Sequence, residues 1–294
     1  MRTVEQMFKL ILGFAQRDDR VRAVYLNGSR ANGNVPKDVF QDYDIVYVVG
    51  EASSFIEDRT WMKTFGDLLM LQEPDRLDKE LGHDVDWAYA YAFLMLFDDG
   101  NRIDLRLLSL EAAAVEYGKD SLTVPLLDKD GILPTIPESS DCDYHVKPPM
   151  KAQFDSCTND FWWCLQNVAK GIWRDELPYA MQMFETVIRV RLDEMVDWWL
   201  GMQHGYQLSP GKMGKFYKRY LPEQYWKMYK ATYSDANYRN IWDAVFTSCE
   251  LFRTLAKDVA LHNGFLYPEA DDDRMTVYLR HIRQLPLDAD AIYE

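Results

Sequence analysis

The feature that most limits how this chain can fold is a change of hydrophobic period across one proline-bearing stretch. Residues 131–150 hold Pro134, Pro137, Pro148 and Pro149 and few periodic apolar residues. Before it, short β-forming runs alternate with helical patterns. After it the sequence is helical, aromatic and rich in methionine. Proline removes a main-chain donor and breaks both periods, so such a stretch reads as a connection between two separately cored regions. A chain of 294 residues is long for one domain, and its 48% apolar content is enough to build two cores. The expected organisation is an α+β domain over 1–135, a proline-rich linker over 136–150 and an all-helical domain over 151–294.

In the first region Val4 to Gln16 carries apolar residues at helical spacing. Val21 to Leu26 reads as a strand ending at Asn27-Gly28-Ser29, and Tyr43 to Val49 as a second. Ser53 to Leu69 reads as a helix. Tyr91–Phe97 and Arg102–Leu108, separated by Asp98-Asp99-Gly100-Asn101, read as a β-hairpin. Ser109 is placed to cap a helix through Ala112 to Glu116, and Leu122–Leu127 closes the region as a strand. In the second region Phe154–Lys170, Leu177–Leu200, Lys212–Tyr220 and Ala244–His262 suit helices. The acidic run Glu269–Asp273 reads as a solvated turn before a short helix near Met275–Arg283. Trp162 and Trp163 are adjacent, so one is expected in the core and the other outside it.

Composition excludes some classes of function. Thirty-three Lys and Arg against 47 Asp and Glu give a net charge of −14, which repels nucleic-acid phosphates and attracts cations. The four cysteines form no C-x-x-C pair, which fits a reducing compartment. Glu5 and Lys9 interrupt the N-terminal apolar stretch, so it does not read as a signal peptide. The longest apolar run, Trp87–Phe97, is far short of the roughly 20 residues a bilayer span needs. A cytoplasmic protein without nucleic-acid or membrane partners is the expectation. The histidines form no H-E-x-x-H, and Gly205 to Gly211 is one residue too long for a P-loop.

The chemistry concentrates in three acids. Asp42 and Asp44 share one face at the start of a strand, about 7 Å apart along the backbone. Two carboxylates so close repel unless a cation lies between them, and hard divalent ions such as Mg²⁺ take oxygen ligands. Asp104 lies on a later strand, on the face opposite Ile103, Leu105 and Leu107, and needs a partner: a metal, Arg102 or Arg106. Gly28 lets main-chain amides approach an anion, Ser29 adds a hydroxyl, and Arg30 follows. A phosphate cradle beside metal-binding acids is the equipment of phosphoryl or nucleotidyl transfer. Glu80, Asp84 and Asp86 are weaker acid candidates.

Hydrophobic-Gly-Ser, then Asp-x-Asp, then a third acid on a later strand resembles the DNA polymerase β-like nucleotidyltransferase superfamily. The stretches Asp99–Leu105, Ala169–Tyr179 and Gly211–Lys215 resemble the aminoglycoside 6-adenylyltransferases within it, the streptomycin-modifying branch, over nearly the whole chain. The resemblance implies a polymerase β-like mixed sheet followed by a helical domain. It implies transfer of AMP from ATP to an aminoglycoside hydroxyl, the 6-hydroxyl, with release of pyrophosphate, as in streptomycin resistance. Asp42 and Asp44 would hold two Mg²⁺ ions, and Asp104 would complete the site as ligand and catalytic base. Gly28, Ser29, Arg30, Lys212 and Lys215 would serve the triphosphate. A polycationic drug needs carboxylates and flat rings, for which Trp173, Asp175 and Glu176 are the candidates. The same acids would serve a nucleotidyltransferase with another acceptor, and a catalytically silent nucleotide-binding module is the alternative of another class.

Overall fold

A computed structural model describes residues 1–293. The chain divides into two compact units, Met1–Asp143 and Tyr144 onward. The division falls inside the proline-bearing stretch.

The first unit begins with α1 (Val4–Arg17), capped by Thr3, whose hydroxyl accepts from the Gln6 amide while the Gln6 side chain accepts from the Thr3 amide. Six strands follow: β1 (Val21–Asn27), β2 (Tyr43–Val49), β3 (Leu68–Gln72), β4 (Ala90–Phe97), β5 (Arg102–Ser109) and β6 (Val124–Asp128). Between them lie α2 (Ser53–Glu57), α3 (Pro74–Glu80) and α4 (Leu110–Glu116). The strands form one mixed sheet in the order β3-β4-β5-β2-β1-β6, in which β2 and β5 run parallel and the other neighbours antiparallel. β4 and β5 are the hairpin read from the sequence, and Ser109 caps α4 by accepting from the Ala112 amide. The central strands are covered on both faces. One face packs under α1 and an aromatic cluster that includes Phe55, Trp61, Phe65 and Phe93. The other packs Ala23, Tyr25, Val46 and Val48 under Ala112, Ala113 and Tyr117.

One expectation fails in this unit. Ser53–Leu69 is not one helix: α2 lasts five residues, a 3₁₀ turn follows at Thr60–Phe65, and Gly66 at φ 121° turns the chain into β3. The apolar run Leu68–Leu71 prefers the sheet edge, pairing with β4, to a continued helix. The proline-bearing stretch is held to the sheet unit at its start. Ile136 packs against the Tyr117 side of the sheet, Ser139 donates to the Ala31 carbonyl (2.8 Å), and Asn34 donates to Asp141 (3.0 Å).

The second unit is helical: α5 (Lys151–Trp173), α6 (Leu177–Met183), α7 (Arg189–Gln203), α8 (Tyr217–Tyr220), α9 (Glu223–Ala231), α10 (Tyr238–Asn263) and α11 (Glu269–Gln284). A π turn at Phe184–Ile188 joins α6 to α7, so Leu177–Leu200 is one rod with a widened turn. Phe161 stacks on Phe252 at 3.7 Å between ring centres. Trp162 is buried and Trp163 two-thirds exposed, as adjacency requires. Lys212–Tyr220 is not one helix, because Gly211, Met213 and Gly214 all have positive φ and make a tight turn before α8. The acidic run Glu269–Asp273 opens α11 as its first turn, with Glu269, Asp271 and Asp273 exposed as a solvated turn requires and Asp272 buried. Acid side chains favour a helix N-terminus, and Asp272 is buried against Arg253 and Tyr267. No helix among the described residues is long and apolar enough to cross a membrane.

Candidate active site

Sheet register assembles the site. Across β1 and β2, Asn27 stands opposite Asp44, and across the parallel pair β2 and β5, Asp44 stands opposite Asp104. Residues directly opposite on neighbouring strands share a face, so three strands set Asn27, Asp44 and Asp104 side by side. Asp42 lies just before β2, two residues from Asp44. Asp42, Asp44 and Asp104 each offer a carboxylate oxygen such that all three oxygens lie within 4.8 Å of one another.

The turn after β1 is shaped to this group. Gly28 has φ 71°, and a Cβ built there would fall 2.0 Å from Asp44 Oδ2. Any side chain at this position would displace the carboxylate, so glycine is demanded twice, by conformation and by space. The 3₁₀ turn Gly28–Ala31 follows.

Arg30 does not stand free for an anion. Its guanidinium donates to the carbonyls of Asp42 (2.8 Å) and Gln41 (2.6 Å) and lies 3.8 Å over the Tyr43 ring. It therefore fixes the backbone that carries Asp42, a role that becomes visible only once the loop is folded.

The electrostatics are those of an unsatisfied acid cluster. Burial, then the charges of Asp42 and Asp104, push the Asp44 carboxyl up to about 7. Among the described residues no donor bonds to its side chain. Of the partners open to Asp104, the chain supplies Arg102, which donates from Nε at 2.7 Å and reaches Asp42 with Nη1 at 3.9 Å. Arg106 pairs with Glu116 instead (3.4 Å). Arg102 is half exposed, so one screened cation faces three carboxylates. An all-oxygen donor set with surplus negative charge suits a hard divalent cation.

Glu80 ends α3, and Asp84 and Asp86 lie in the loop after it, outside the acid group. Lys212 and Lys215 belong to the tight turn of the helical unit, where Lys215 lies 5.1 Å over the Phe216 ring. Trp173 donates to the Pro286 carbonyl (3.2 Å), and Asp175 accepts from the Tyr238 hydroxyl (2.8 Å). Glu176 makes no side-chain hydrogen bond among the described residues.

A cavity of about 350 Å³ opens on the sheet beside the acids and is lined in part by Asn27 and Asp120. Neither is singled out by sequence. Asn27 could be found from strand pairing with Asp44, whereas Asp120 sits in a loop with no local signal.

Comparison with known proteins shows the family to which the chain is similar. Residues 1–282 match the family model described as streptomycin adenylyltransferase. An aminoglycoside 6-adenylyltransferase of Campylobacter jejuni is 36% identical over 290 residues, covering 99% of each chain. One from Bacillus subtilis (strain 168) is 37% identical over 276 residues, covering 92% of this chain and 95% of the relative. A crystal structure of an aminoglycoside 6-adenyltransferase from Bacillus subtilis matches with a TM-score of 0.48 at 34% identity, covering 97% of this chain and 100% of that one.

Proposed function

The chain belongs to the streptomycin adenylyltransferase family, and from that premise we propose how its residues carry AMP from ATP to an aminoglycoside hydroxyl, the 6-hydroxyl of a streptomycin-type drug. The carrying observation is the rung of Asp44 and Asp104 across a parallel strand pair, with Asp42 completing a set of three oxygens within 4.8 Å.

Asp42, Asp44 and Asp104 would hold the two Mg²⁺ ions. Bound there, Mg²⁺ supplies charge stabilisation of the transferring phosphoryl group and acidifies the acceptor alcohol. Asp104 takes the hydroxyl proton as the new P–O bond forms and the bond from the α-phosphorus to pyrophosphate breaks. Gly28 and Ser29 bring main-chain amides and a hydroxyl to the triphosphate, and Arg30 keeps Asp42 in place. In the helical unit Lys212 and Lys215 are assigned to the phosphates. Glu176 is assigned to a drug cation ahead of Trp173 and Asp175, which are already bonded.

The test is incubation with ATP, Mg²⁺ and streptomycin, following pyrophosphate release and the mass of the drug. Asp104→Asn should lower turnover at least about a thousandfold with little change in Tm. Near-normal turnover in that variant removes Asp104 from the reaction. Turnover confined to a non-cationic acceptor would favour a transferase of different substrate.

A further inference from the structure

The cavity beside the acids has a wall that the reaction above does not use. Thr123, 3% exposed, places its hydroxyl oxygen 3.0 Å from Asn27 Oδ1 and 2.8 Å from the main-chain carbonyl of Asp120. Both neighbours are acceptors, and a hydroxyl has one hydrogen. The Asp120 carbonyl is an acceptor in every arrangement. The Asn27 amide is not fixed in this way, since turning it end for end exchanges oxygen for nitrogen at the same positions. In the turned arrangement Asn27 Nδ2 donates to Thr123, Thr123 donates to Asp120, and both buried contacts are satisfied. Asn27 lines the cavity, and its carbonyl oxygen is then the amide atom not engaged by Thr123.

Three carboxylates line that cavity, one of them, Asp104, paired with Arg102. The others are Asp44 and Asp120, while its one lining cation, Arg106, is paired with Glu116. The cavity volume of about 350 Å³ lies at the lower end of the roughly 300 to 1,000 Å³ that ligand pockets span, enough to take a ring of the drug. We propose that this cavity receives the aminoglycoside ring bearing the acceptor hydroxyl, and that Asn27 is a specificity-determining residue whose Oδ1 accepts a hydrogen bond from an O–H or N–H of that ring. Thr123 is its positioning residue. This rests on the reading of the chain as an aminoglycoside adenylyltransferase.

Two measurements test it. In the wild-type protein labelled with ¹⁵N-asparagine, the Asn27 side-chain NH₂, assigned by its loss in Asn27→Asp, should exchange slowly and show an NOE to the Thr123 methyl. A fast-exchanging NH₂ without that NOE overturns the assignment, and no variant has to be active for this reading. In kinetics, Thr123→Val should raise the streptomycin KM about tenfold, the worth of one misplaced hydrogen bond, with kcat and the ATP KM within about twofold. Thr123→Ser should restore it. An unchanged streptomycin KM in Thr123→Val, or a change in the ATP KM instead, overturns the proposal. A wild-type protein that adenylylates no aminoglycoside overturns the functional reading itself, and the NMR result still decides how Asn27 is held.

Discussion

Two groups of half-buried aspartates can be set side by side, one in each unit. On α7, Asp193 and Asp197 lie one turn apart, and burial raises both carboxyls, Asp197 to about 6. Each has a donor: Tyr229 donates to Asp193 (2.7 Å) and Tyr217 to Asp197 (2.6 Å). In the sheet unit, burial raises Asp44 further, to about 7, and the next influences are the like charges of Asp42 and Asp104. The helical unit answers its buried acids with tyrosines of its own. The sheet unit leaves Asp44 without a donor and places two more carboxylates beside it. Both acids on α7 carry their own donors, whereas in the sheet cluster Arg102 donates to Asp104 and Asp44 has none.

The largest effect that would sharpen this contrast is at Gly28. Gly28→Ala puts a methyl where the Asp44 carboxylate stands, and AMP transfer should fall at least about a hundredfold. Steady-state kinetics with streptomycin check it. A near-wild-type rate would mean that Asp44 moves aside without consequence, and the contrast with α7 would break.

Next is the effect of pH on metal-free stability. The folded Asp44 titrates near 7 and its unfolded counterpart near 3.8, so the fold prefers the protonated form. Its stabilising share is complete below about pH 3.8 and lost as pH rises through about 7. Asp44→Asn should therefore be more stable than wild type in EDTA, by a margin that widens from pH 4 to 7 and levels off above. Urea unfolding at several pH values measures this. The corresponding margin for Asp197→Asn should level off nearer pH 6 and be smaller, because removing the carboxylate also disturbs the Tyr217 bond.

Tyr217→Phe removes the donor of Asp197 and should cost about 2 kcal/mol of stability. Far less than this would show that solvent already serves Asp197, and the two clusters would be less different than their bonding suggests. Smallest is Arg102→Ala. An ion pair with a half-exposed arginine contributes about 0–1 kcal/mol, so Tm should move by no more than a few degrees.

The legibility of the sequence follows the same division. The acids could be found because strands have a period of two: Asp104 falls on the face opposite the apolar Ile103, Leu105 and Leu107, and Asp42 and Asp44 recur on one face. The β4–β5 hairpin and the Ser109 cap rest on equally local rules. What could not be read locally was decided at a distance. Ser53–Leu69 has helical spacing, but Phe55, Trp61 and Phe65 are drawn into one aromatic core with Phe93 of β4, and Leu68–Leu71 finds a strand partner. Arg30 looks like a phosphate ligand until the loop before β2 returns beneath it. Asp272 sits in an acidic run that promises solvent, yet Arg253, nineteen residues earlier, buries it.

The parallel pairing of β2 with β5 has a consequence for a chain emerging from the ribosome. Parallel neighbours need a long crossover, and here residues 50–101 lie between the two strands. A nascent chain that ends before β5 carries Asp42 and Asp44 but has no third acid to set beside them. Such an intermediate exposes the β2 edge that β5 will cover. A cation that needs all three acids would favour the finished sheet without guiding the earlier stages of its assembly.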